Sequence, residues 1–157
     1  MKKQKGVTLI EMIIYIGIVG LMSTALTTMM INIMTLRSKS VVIQEVNSSL
    51  KFIVDKINFE IRNANNLGTV TASSVATDRG VFSLNSGNIV FTVGATVANL
   101  NSNLVNISAF VITNLSSGDS KTENINYVIT GNYINPGGRS EFTYSATLES
   151  SVEVRSK

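Results

Sequence analysis

Cysteine and histidine are both absent from the 157 residues. Without cysteine there is neither a disulfide nor a thiolate metal site. Without histidine the chain lacks the commonest metal ligand and the side chain best suited to proton transfer near neutral pH. Tryptophan is absent, Pro136 is the single proline, and charged residues make up 15% of the chain. Carboxylates or a Ser–Lys pair remain as routes to catalysis, but no such constellation is recognisable. The expectation is a protein that is not an enzyme and that carries no cofactor and no metal.

What charge there is falls unevenly. No Asp, Glu, Lys or Arg occurs from Met12 to Leu36, whereas the chain from Arg37 onward is of ordinary polarity and rich in Ser, Thr and Asn. The net charge of +3 comes from Lys2, Lys3 and Lys5; without them the remaining basic residues equal the ten acidic ones. No basic stripe of the kind that binds nucleic acid is evident. The length suits one domain with an appended element.

Val7–Leu36 is apolar with one interruption, Glu11. As a helix at about 1.5 Å per residue, Met12–Leu36 reaches about 37 Å, more than the roughly 30 Å of a bilayer core. Thr27, Thr28, Asn32 and Thr35 make its second half wetter, though such side chains can bond back to helical carbonyls. Lysines ahead of the run favour an N-terminus in the cytoplasm and export of the rest. Three readings fit this segment: a single-pass anchor, a secretory signal cut near Ser23-Thr24-Ala25, or a helix that seeks a partner for its acid. A carboxylate in an apolar core costs about 2–3 kcal/mol even on lenient scales. Only the third reading gives Glu11 a purpose.

The stretch Lys5-Gly6-Val7-Thr8-Leu9-Ile10-Glu11 resembles the prepilin cleavage motif of type IV pilins and of the pseudopilins of type II secretion and DNA-uptake machines. The resemblance implies a leader of residues 1–6 removed after Gly6 by a prepilin peptidase. It implies methylation of the new N-terminus at Val7 and an assembly role for Glu11, paired with the Val7 amine of an adjacent subunit. Gly20 falls where the family often has glycine, and Thr28 stands where its helix-kinking proline is common. Implied partners are other pilin subunits, of the same or different sequence, an inner-membrane assembly platform and membrane lipid.

Beyond residues 7–36, which read as the transmembrane and assembly helix, residues 37–67 read as its amphipathic continuation. Ile43, Val46, Leu50, Ile53, Val54, Ile57, Ile61 and Ala64 share a stripe about 100° wide, and Asn65-Asn66-Leu67-Gly68 offers a stop with Gly68 as a left-handed cap. Val41, Phe52 and Phe59 lie on the opposite face. Phe52 and Phe59 are candidates for filament packing against neighbouring helices, with scattered surface apolars as the plainer reading. The stretch Phe52–Asn65 also resembles the corresponding helix of minor pilins.

From residue 68 to 157 the pattern turns to short β runs. Val81–Leu84 and Ile89–Val93 flank Asn85-Ser86-Gly87-Asn88, a hairpin signal. Val105–Thr113 alternates with Val105, Ile107, Ala109 and Val111 on one side, and Glu123–Thr130 places Ile125, Tyr127 and Ile129 together. Glu141–Leu148 and Val152–Arg155 read as two further strands. Residues 95–104 have no clear pattern and fit a loop or a strand. Ser117, Asp119, Ser120 and Glu123 offer oxygens to a hard cation, but their spacing fits no EF-hand loop, and a solvated loop is the better reading.

The expected fold is α+β: a long N-terminal helix, membrane-spanning then amphipathic, packed on an antiparallel sheet of four to six strands. The expected function is a structural subunit, minor rather than abundant, of a type IV pilus or pseudopilus, held in the cytoplasmic membrane and then displayed outside it. The alternatives are a tip-borne binding module, adhesive or DNA-capturing, and a simple anchored β domain.

Overall fold

The computed structural model describes residues 6–116 and 123–154. The leader lysines Lys2, Lys3 and Lys5, and Ser117, Asp119 and Ser120 of the candidate cation loop, lie outside these residues. One helix, α1, runs Leu9–Arg62. It passes through two compact units, which divide at Lys39 and Ser40.

In the first unit α1 has the makings of a membrane span in length and composition, and its side chains are exposed. The hydroxyls of its second half are satisfied within the helix. Thr27 donates to Ser23 O at 2.8 Å, Thr28 to Thr24 O at 2.9 Å and Thr35 to Ile31 O at 3.1 Å. The threonines therefore add little unmet polarity to the helix.

In the second unit α1 is the core element. Val42, Val46, Leu50, Ile53, Ile57 and Ile61 are almost wholly buried, each worth about 1.5–3 kcal/mol of transfer free energy. Ile43 and Val54 sit only at the margin of this stripe; Val42 takes the place expected of Ile43. Against the stripe pack two antiparallel sheets, not one. The first holds β1 (Leu67–Val70), β2 (Ser74–Thr77), β3 (Gly80–Asn85), β4 (Asn88–Val93) and β5 (Thr96–Asn99) in sequential order. The second holds β6 (Val105–Asn114), β7 (Asn124–Tyr133) and β8 (Ser145–Glu153). Phe82, Phe91, Phe110, Ile125, Tyr127, Ile129 and Val152 join the helical stripe in one cluster. The α+β expectation holds, with more strands than anticipated.

Three local expectations are corrected. Gly68 does not cap the helix; it lies within β1. The chain leaves α1 through side-chain contacts instead. Asp78 accepts from the Asn65 amide at 3.1 Å and from its Nδ2 at 2.7 Å, and Glu123 Oε2 accepts from the Leu67 amide at 2.6 Å. Strand β6 buries Val105 and Ile107 and then Phe110 and Ile112, not Ala109 and Val111. An irregularity in the pairing with β7 between Ile107 and Ala109 inserts one residue, and an odd insertion turns every later side chain to the other face. The 95–104 stretch, which fits a loop or a strand by its sequence, forms β5 over Thr96–Asn99. Glu141–Leu148 begins as a short 3-10 turn at Ser140–Phe142, and β8 continues unbroken through Ser150 and Ser151.

Candidate functional site

Thr8 opens the helix. Its carbonyl accepts from the amides of Glu11 at 3.1 Å and Met12 at 3.2 Å, and its Oγ1 lies 3.4 Å from the Glu11 amide. Thr8 and Glu11 thus occupy the Thr-x-x-Glu positions of a capping box. Glu11 in the first turn also places its charge near the positive end of the helix dipole. Gly6 and Val7 precede the first turn and are exposed. Gly6, Val7 and Glu11 are therefore neighbours at one helix start, and the last two are accessible to a second chain.

Among the described residues Glu11 has one side-chain partner. Tyr15 donates its hydroxyl to Glu11 Oε1 at 3.1 Å, one helical turn on. The sequence carries the signal for this contact as an i, i+4 acid–phenol pair in an otherwise apolar stretch, but periodicity alone classes Tyr15 with its apolar neighbours.

Phe52 and Phe59 are 57% and 58% exposed, and Val41 is exposed with them. Between the two phenylalanines, Lys56 Nζ lies 5.9 Å from the Phe59 ring and 5.3 Å from the Phe91 ring. The same ammonium is 2.6 Å from Glu60 Oε1, and Arg79 Nε is 2.6 Å from Glu60 Oε2. Burial pushes the Glu60 carboxyl up. Hydrogen bonds and charge from Lys56 and Arg79 together outweigh it, so Glu60 ionises below the ordinary carboxylate range. This pairing anchors the lysine and leaves the two rings as the bare part of the face.

The tyrosines divide. Tyr127 is wholly buried and donates to Asn58 Oδ1 at 2.9 Å; burial pushes its phenol up to about 12. Tyr133 stacks on Phe142 with ring centroids 6.2 Å apart. Those two rings, with Leu104, Ile134, Pro136 and Arg139, line a shallow cleft of about 320 Å³. Among the described residues no three acidic side chains gather as metal ligands do. Glu123, which offers oxygens to a cation but reads better as part of a solvated loop, accepts from the Leu67 amide.

One polar residue that carries much of the second unit went unrecognised in the sequence. Asn101 is buried; its Oδ1 accepts from the Ile89 amide at 3.0 Å, and its Nδ2 donates to Val105 O at 2.6 Å and Asn88 Oδ1 at 2.9 Å. Nothing in a run of Asn and Ser distinguishes such a node from a loop residue.

A protein family described as the prokaryotic N-terminal methylation motif matches residues 1–27. That segment includes Gly6, Val7, Glu11 and Tyr15. No curated protein and no solved structure matches the chain.

Proposed function

We propose that this chain, a type IV pilin-like prepilin by its methylation segment, is cut between Gly6 and Val7, methylated at Val7, and assembled into a pilus or pseudopilus through Glu11. The observation that carries the reading is a single acid set at the start of an exposed apolar helix, within the matched segment. Cleavage creates an α-amine at Val7, with an ordinary pKa of about 7.7–8.0, and methylation leaves it cationic. Glu11 of an adjacent chain then supplies the counter-charge. An unpaired carboxylate is expensive in lipid, so pairing gives both an assembly force and a register. Before cleavage the amine does not exist at that position, and the leader keeps the precursor from polymerising early.

The first unit holds the subunit in the cytoplasmic membrane with its N-terminus inside, and the second is exported. The assembly platform of the inner membrane extracts the processed chain. Phe52 and Phe59 extend the contact between neighbouring helices, since two bare rings two turns apart match a helix groove. We place the subunit among the minor ones on the likeness of Phe52–Asn65 to their helices.

Intact mass and N-terminal sequencing after expression with and without a prepilin peptidase test this. Peptidase-dependent loss of residues 1–6, leaving Val7 with one added methyl, is the expected result. A chain left whole, or cut after Ala25, overturns the reading.

A further inference from the structure

We infer that Tyr15 is a positioning residue for Glu11: it holds one carboxyl oxygen inside the membrane and leaves the other for the neighbouring subunit's amine. The inference rests on the assembly reading of Glu11. From Leu9 to Met22, Glu11 and Tyr15 are the only side chains with an oxygen or nitrogen. They stand one turn apart and are joined at 3.1 Å, Tyr15 Oη to Glu11 Oε1. In hydrocarbon the Tyr15 hydroxyl alone lacks a partner, because the helix consumes the backbone groups around it, and the Glu11 carboxyl alone has only the free amides of the first turn within reach. Together each satisfies the other.

The bond has a direction that suits assembly. A phenol donates to Oε1 whether the carboxyl is charged or neutral. Held from the C-terminal side, the carboxyl loses rotamer freedom before it meets its partner, and preorganisation of this kind lowers the cost of association. Oε2 has no side-chain partner among the described residues and stays open to a cation. Tyr15 therefore serves the chain twice. While the subunit waits in the bilayer it shelters the acid, and at the moment of assembly it presents the acid already oriented.

The test uses the full chain and removes a single atom, with Tyr15→Phe. In lipid nanodiscs, the infrared carboxyl band of Glu11 is identified as the one lost in Glu11→Gln. That band shifts in Tyr15→Phe if the phenol holds the carboxyl, and an unmoved band overturns the inference. In cells with the assembly machinery, Tyr15→Phe keeps its membrane level and its cleavage, and its incorporation into filaments falls about tenfold. Tyr15→Leu behaves the same way, because it is the hydroxyl that matters. Normal incorporation of Tyr15→Phe, with Glu11→Ala failing to assemble, overturns the role of Tyr15 alone. Normal incorporation of Glu11→Ala overturns the assembly reading beneath it.

Discussion

Single side chains decide more here than the composition suggests. Asn101 satisfies a buried amide and a buried carbonyl from two strands at once. Asn101→Leu strands both, and a loss of about 2–4 kcal/mol is expected, since each unmet buried group costs about 1–3 kcal/mol; urea unfolding of the second unit checks it. Tyr127 and Glu60 set the two ends of the pH range. The unfolded chain releases its tyrosine proton from about pH 10, while folded Tyr127 keeps its proton to about 12. Its contribution is thus whole below pH 10 and is lost as pH rises toward 12. Glu60 acts in the opposite sense. Its folded carboxyl titrates below the ordinary value, so its contribution is present above about pH 4.3 and is lost as pH falls through the lower folded value. Glu60→Gln flattens the acid limb of a stability–pH curve, Tyr127→Phe the alkaline limb. Asn101 was illegible because its partners are set by a chain path no local pattern encodes. Glu11 stood out because a charge among apolar residues needs no tertiary context to be conspicuous.

At the scale of elements, legibility followed how local the causes are. The hairpin of β3 and β4 was readable because Asn85-Ser86-Gly87-Asn88 specifies its own turn. Ser86 and Gly87 adopt φ of 50° and 78°, as a two-residue primed turn demands. A Cβ at Gly87 would also strike Asn106 Oδ1, so Gly87→Val loses about 2 kcal/mol or more, measured by thermal unfolding. The bulge in β6 was not readable, because alternation before and after it looks continuous and only the helix decides which face is buried. Deleting Ser108 removes the extra residue and restores strict alternation with Val105, Ile107, Phe110 and Ile112 all still on the buried face. Retention of the folded second unit is the expected outcome, seen as unchanged protease resistance. The helical stripe was legible within one residue, since its period depends on the helix alone. The division into two sheets was not, since pairing partners lie far apart in sequence.

For the molecule as a whole, the stripe of α1 and the sheets it supports are separated in the chain. Asn58 meets Ser150 across 92 residues. At Gly131, a Cβ would sit 3.0 Å from Leu50 Cδ2, so the helix approaches β7 closely there, and Gly131→Ala loses about 1 kcal/mol or more by overpacking. The order of synthesis gives this arrangement a history in time. A ribosome adding roughly 5–20 residues per second needs about 5–20 s to pass from Asn58 to Ser150. Through that interval Leu50, Ile53, Ile57 and Ile61 are already made while β8 is still missing. The growing chain carries its most adhesive surface first and its cover last, so any partner that shields a bare helix during those seconds governs how much of this protein reaches its folded form.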